Sequence, residues 1–250
     1  MTDKERIIAL FVAKVKGKRS DTTTSNQKHD GKGGHWLERQ MGIKANADNK
    51  PDLYGYEMKN NTTSKTTFGD WAANYYIYRD EQYDVKGRSN FLKAFGRPNP
   101  EKNMRLSWSG APAPKIGKLN DYGQILVVDQ YKNIHAKYFY SADKRVDKST
   151  LLPLAVQKED LTIAKWEKIS IQKKLETKFN QKGWFKCLQD SQGLYSEIVF
   201  GDPMSYDTWV KLVQSGDVIF DSGMYDGNAR PYSQWRATNA FWNKLITSRY

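Results

Sequence analysis

Residues Pro51 to Asn60 read PDLYGYEMKN, and the reading of the whole chain starts from them. Side chains of a β-strand alternate between its faces, so a strand here sets Tyr54, Tyr56 and Met58 on one side and Gly55, Glu57 and Lys59 on the other. Glu57 and Lys59 then share a face, with Asp52 just ahead of them and behind a proline. Two neighbouring charges on one face of a core strand cost free energy unless they serve a purpose. Upstream, the helix-like run HWLERQMG (residues 35–42) carries a further carboxylate, Glu38.

These residue types suit hydrolysis of a phosphodiester. That reaction needs an activated water, charge stabilisation at the phosphate and help for the leaving oxygen. Bound Mg2+ can serve all three, and hard divalent ions prefer carboxylate and carbonyl oxygens. Asp52 and Glu57 are the candidate metal ligands, with the backbone carbonyl of Met58 as a third. Lys59 is the candidate for holding the attacking water or stabilising developing negative charge. Glu38 is placed for an outer-shell role or a second ion. A bare D-x4-E-x-K also arises by chance in a chain with 27% charged residues, usually as a surface ion pair. The preceding proline, the alternation and Glu38 together favour the catalytic reading.

The composition supports a polyanionic partner. The 250 residues carry a formal charge of +12 and a pI near 9.5, and lysines and arginines that neutralise phosphates gain affinity by releasing counterions. Heparin-binding or ribosomal proteins would show the same balance. The single cysteine, Cys187, allows no internal disulfide and reads as a small core residue. MTDKERIIALFVAKV is amphipathic and unlike a signal sequence, and no apolar run approaches the roughly twenty residues of a membrane span. A cytoplasmic protein without membrane contact is expected. There is no GxxxxGK[ST], no GxGxxG after a strand and no Cys–His array, so no nucleotide cofactor is expected. His35 and His135 lack a partner at ligand spacing and read as structural or surface residues.

Along the chain, residues 4–16 have helical spacing. Residues 17–34 form a basic, apolar-free loop, either a solvated linker or a segment that orders on phosphates. Residues 88–117, rich in proline and basic side chains, read as a long excursion from the core. QILVVDQ and IHAKYFYSA form a hairpin, and residues 159–181 make the longest helix candidate. Strands WFKCLQD and YSEIVFG, a helix over 205–214 and a final aromatic helix NAFWNKLI follow.

The run GHWLERQMG…KPDLYGYEMKNN…FGDW, over residues 34–71, resembles the MvaI/BcnI group of type II restriction endonucleases, in the MutH-like branch of the PD-(D/E)xK nucleases, and most nearly MvaI. The resemblance implies a mixed α/β core with an inserted DNA-recognition lobe. Residues 1–90 would form the catalytic lobe with later core elements, and 91–250 the recognition lobe interwoven with the rest. It implies catalytic roles for Glu38, Asp52, Glu57 and Lys59, with Mg2+ as cofactor. It also implies a monomer that cuts one strand of double-stranded DNA at a time at a CCNGG-type site, CC/WGG by the MvaI likeness, leaving 5′ phosphates. Lys65, Arg97, Arg105, Arg230 and Arg236 are the candidate DNA-binding residues, each otherwise a phosphate contact or a solvated charge. A mismatch-repair or structure-specific nickase with the same core, and a non-enzymatic DNA-binding protein, remain open.

Overall fold

The computed structural model describes residues 1–23, 32–43, 49–60 and 64–250. Residues 24–31 of the expected basic loop lie outside the described residues. The elements in chain order are α1 (Asp3–Lys14), α2 (Lys32–Gln40), β1 (Glu57–Lys59), β2 (Lys65–Asp70), β3 (Tyr75–Tyr76), α3 (Gly87–Phe95), β4 (Arg97–Asn99), β5 (Arg105–Trp108), β6 (Tyr122–Val128) and β7 (Ile134–Asp143). They continue with α4 (Lys148–Leu151), β8 (Leu161–Trp166), α5 (Lys168–Phe179), β9 (Trp184–Gln189), β10 (Tyr195–Gly201), α6 (Tyr206–Gln214), β11 (Ile219–Asp221), β12 (Met224–Tyr225), β13 (Gln234–Thr238), α7 (Asn239–Lys244) and β14 (Ile246–Arg249). Among the described residues no helix is long and apolar enough to cross a membrane.

The chain divides into two compact units. The first holds Met1–Thr66, Lys174–Ser205 and Thr238–Tyr250; the second holds Thr67–Lys173 and Tyr206–Ala237. The first is built on a mixed sheet in the order β1-β9-β10-β14, with β1 parallel to β9 and the other pairs antiparallel. The period of two sorts its faces. Met58, Phe185 and Cys187 turn into an apolar core with Ile7, Phe11 and Val15 near α1, Trp36, Leu37 and Met41 near α2, and Ile198 and Phe200 of β10. Burial pushes the Cys187 thiol far up, so it stays protonated and inert. The opposite face, from the in-register pairs Glu57–Trp184 and Lys59–Lys186, carries the charges.

The second unit carries an antiparallel sheet in the order β3-β8-β7-β6 and two three-stranded sheets, β12-β5-β4 and β11-β13-β2. Two expectations are corrected here. Residues 159–181 are a strand followed by a helix: β8 pairs with β7 and β3, and the strand ends where Asn74 Oδ1 accepts from Glu167 N at 2.9 Å and Asn133 Oδ1 accepts from Lys168 N at 3.0 Å. These side chains satisfy amides that a helix start leaves open, so the helix begins only at Lys168. Residues 88–117 are not an excursion either. They include most of α3, whose Phe91, Leu92 and Phe95 are fully buried, and β5, whose Trp108 is fully buried. The hairpin, β9, β10, α6 and α7 form as expected.

The close passage of the chain just before β9 against the end of β10 depends on Gly183. Its φ is +99°, its carbonyl accepts from Glu57 N at 3.1 Å, and a Cβ there would lie 2.2 Å from the Gly201 carbonyl oxygen. Gly183→Ala is therefore expected to destabilise the protein by at least about 1–3 kcal/mol. Thermal unfolding followed by circular dichroism should show a midpoint lowered by several degrees, on the order of 2–4 °C per kcal/mol.

Candidate active site

The decisive local structure is a two-residue turn. Leu53 and Tyr56 exchange backbone hydrogen bonds of 3.0 and 2.9 Å across Tyr54 and Gly55, whose φ values are +49° and +85°. Positive φ at both central positions matches the tightest hairpin turns, and Gly55 takes it without strain. The expected strand is thus only Glu57–Lys59, with a turn in place of its first half. The turn has a chemical consequence. It folds Asp52 back against β1, where its Oδ2 accepts from Met58 N at 2.9 Å and its charge opposes that of Glu57. Four intervening residues are what a two-residue turn needs to bring an Asp and a Glu together.

Glu57 is 2% exposed, and its Oε1 accepts from Lys59 Nζ and from Lys178 Nζ, each at 2.8 Å. Its other oxygen, Oε2, is buried with no hydrogen-bond partner among the described residues. Burial alone would push the Glu57 carboxyl up; the two ammoniums outweigh it and hold it below the usual range. Asp52 moves the other way. Burial, with the Glu57 charge adding to it, raises Asp52 to about 6. Burial lowers Lys59, whose ammonium lies 5.0 Å from the centroid of the Phe179 ring.

Glu38 sits on α2 at the margin of this cluster. Its Oε2 lies 3.2 Å from His35 Nδ1 and its Oε1 3.5 Å from the amide of Asn60, the residue after Lys59. Gly34 makes room for that amide, since a Cβ there would stand 2.6 Å from Asn60 Nδ2. Asp52, Glu57 and Lys59 therefore converge, with Glu38 reaching the same strand end through Asn60.

Two lysines were not legible in the sequence. Lys178 stands 121 positions from Glu57, and nothing local marks it among the basic residues of α5. Lys186 is fully buried on β9 directly beside Lys59, near Thr66 Oγ1 at 3.4 Å and the Trp242 ring at 5.8 Å, and burial, with Lys59 adding, pushes it down to about 8. A lysine at an alternating position of an otherwise apolar strand was the available signal.

The candidate DNA-binding residues scatter. Lys65 lies in the first unit and the four arginines in the second. Arg97 and Arg105 share the sheet β12-β5-β4, Arg230 pairs with Asp70 at 2.9 Å, and Arg236 with Asp221 at 3.0 Å. His135 pairs with Asp129 at 3.0 Å, the structural role expected of it.

The donor set suits a small hard cation. Among the described residues no three His, Cys, Asp or Glu side chains converge, but Mg2+ is commonly held by one or two carboxylates, with waters and phosphate oxygens completing its shell. Asp52 and the unpartnered Glu57 Oε2 offer such a pair.

Nearly the whole chain is similar to known proteins. The model of the LlaMI restriction endonuclease family matches residues 15–250. The type II restriction enzyme ScrFI of Lactococcus lactis subsp. cremoris is 47% identical over 264 residues, covering 98% of this chain and 97% of the relative. The solved structure of the restriction endonuclease MvaI with its cognate DNA is similar at a TM-score of 0.61 and 12% identity, covering 99% of this chain and 95% of that one. At that identity the likeness bears on the fold, and it agrees with the mixed α/β architecture expected of the sequence.

The raised Asp52 carboxyl predicts a sign for stability. Without metal the folded state holds a proton on Asp52 that the unfolded chain gives up, so stability contributed at this position falls as pH rises from about 4 to about 6. In EDTA, Asp52→Asn is therefore expected to be more stable than the wild type at pH 8, with the gap closing below pH 4. Denaturant titrations at the two pH values check this.

Proposed function

The chain belongs to the LlaMI restriction endonuclease family and is a type II restriction endonuclease acting on double-stranded DNA; from that premise we propose that Asp52, Glu57 and Lys59 form its Mg2+-dependent active site and that it cuts a CCNGG-type sequence. The observation that carries the site is the Glu57 carboxylate. One oxygen is held by two lysines, the other is buried without a partner among the described residues, and the Glu57 charge is felt by a second carboxylate, Asp52. Family membership favours a site-specific endonuclease over a repair nickase or a non-enzymatic binder.

Asp52 and Glu57 hold the cation, with the Met58 carbonyl as a third donor. Bound Mg2+ supplies Lewis acidity at the scissile phosphate and lowers the cost of forming hydroxide. Glu57 also fixes Lys59, whose ammonium orients the attacking water and stabilises the charge that builds on the phosphate. Lys178 and Lys186 add positive potential where that charge appears. Glu38 orders the strand end through Asn60. Arg97, Arg105, Arg230, Arg236 and Lys65 are the proposed DNA contacts, and the second unit is the proposed recognition lobe. The enzyme acts as a monomer, one strand at a time, and leaves 5′ phosphates, as the MvaI/BcnI resemblance implies.

Digestion of a sequenced plasmid with Mg2+, followed by mapping of the ends, tests this reading. Cuts at CCNGG with 5′ phosphates are expected, and the tolerated central base decides between CCNGG and CC/WGG. Lys59→Ala and Asp52→Ala should each lower the cleavage rate at least about 10²-fold while gel-shift binding of DNA survives. Retained cleavage in either variant would remove that residue from the active site.

A further inference from the structure

The sheet β12-β5-β4 has two unlike faces. In its antiparallel register Arg97 lies opposite Ser107, Asn99 opposite Arg105, and Tyr225 opposite Ser107, while Pro98 faces Leu106 and Met224 faces Trp108. Opposed residues project to the same side. Arg97, Asn99, Arg105, Ser107 and Tyr225 therefore share one face, and the other is anchored by the fully buried Trp108 and Met224. The β4–β5 connection makes one tight turn at Pro100–Lys102 and passes through Asn103 and Met104, with φ of +52° and +57°; Met104 is 59% exposed at the tip. The hairpin thus presents a polar, cationic face on a rigid apolar base.

The arginines on this face differ from three others in the unit. Arg145, Arg230 and Arg236 pair with Asp143, Asp70 and Asp221 at 2.7, 2.9 and 3.0 Å. Arg97 and Arg105 have no hydrogen bond or ion pair to their side chains among the described residues, and Arg105 Nε is buried without a partner. Arg105 instead lies over an aromatic ring: its Cζ is 3.3 Å from the centroid of Tyr225. Stacking fixes the guanidinium plane and leaves its edge donors for an acceptor outside the chain. A planar fork held in one orientation matches the O6 and N7 of guanine, and a two-stranded ribbon fits the major groove.

We propose that this sheet face reads the target sequence, with Arg105, clamped by Tyr225, donating to O6 and N7 of one guanine in the major groove and Arg97 completing the cationic face. The proposal rests on the reading of the protein as an endonuclease with a guanine-containing site. It goes further by separating base reading from phosphate contact among the candidate arginines. Arg230 and Arg236 each have a nitrogen engaged by a carboxylate; Arg105 has none among the described residues and is backed by a ring.

Cleavage of duplex oligonucleotides carrying the mapped site, with each guanine in turn replaced by 7-deazaguanine, tests it. One substitution should slow the wild-type enzyme roughly 10- to 100-fold. Arg105→Ala should cut the unmodified duplex slower by a similar factor and show no further loss at that same guanine, while remaining sensitive at the others. Arg105→Lys, which keeps the charge and loses the fork, should lose the same coupling and serves if the alanine variant misfolds. Tyr225→Phe should retain the coupling and Tyr225→Leu should weaken it. If Arg105→Ala keeps every 7-deaza penalty and instead weakens binding to all sequences equally, with a shallower salt dependence, Arg105 is a phosphate contact and the proposal is overturned. It is overturned equally if the wild type cuts the site but ignores 7-deazaguanine at every position. A wild type that fails to cut the unmodified duplex would contradict the proposed function itself.

Discussion

The constraint on which the site depends is the carboxylate of Glu57, buried between two ammoniums that share one of its oxygens. Taking a carboxylate out of water costs several kcal/mol unless it is paired and hydrogen-bonded. Lys59 and Lys178 supply that pairing, and both approach the same atom. The remaining oxygen is therefore left buried without a hydrogen-bond partner among the described residues. Much of the first unit serves this arrangement. Met58 pins β1 to the apolar core on one face, so its neighbours must point to the other; Gly183 lets the start of β9 pass close to the end of β10; and α5 delivers Lys178. The turn at Tyr54–Gly55 then adds Asp52 beside Glu57.

The electrostatics of the cluster run in opposite directions on its two acids. Glu57 is held low by its lysines, whereas Asp52, with no ammonium bonded to it among the described residues, is lifted toward neutrality by burial and by Glu57. A cation bound by both would relieve the repulsion that separates them. The lysines outnumber the carboxylates in this region once Lys186 is included beside Lys59. Such an excess favours an anionic partner arriving with its own phosphate oxygens.

The grouping of Glu57 and Lys59 was legible in the sequence because it is local. The period of two puts Glu57 and Lys59 together without reference to anything else, and the spacing to Asp52 reflects a turn of two residues. Long-range partners left no such trace: Lys178 and Lys186 reach the site only through the packing of α5 and β9. The reading of 159–181 as one helix failed for a related reason. Leu161, Ile163, Ala164 and Trp166 are apolar enough for either periodicity, and pairing with β7 and β3, with Asn74 and Asn133 set at the boundary, decides for a strand. In residues 88–117 the prolines and basic side chains masked the aromatic anchors Phe91, Phe95 and Trp108, which make that stretch part of a core. The turn within PDLYGYEMKN was hidden by Tyr54, a residue that seldom takes a positive φ.

A direct measurement on the central site is the crystal structure of the protein bound to its cognate duplex with Mn2+ replacing Mg2+, located by anomalous scattering. If Asp52 and Glu57 are the metal-holding pair, a peak should lie at about 2.1 Å from the Glu57 Oε2 position and within bonding reach of an Asp52 oxygen, with Lys59 still on Glu57 and facing the scissile phosphate. A metal bound to other residues in a cleavage-competent complex, with Glu57 Oε2 still unpartnered, would contradict the assignment.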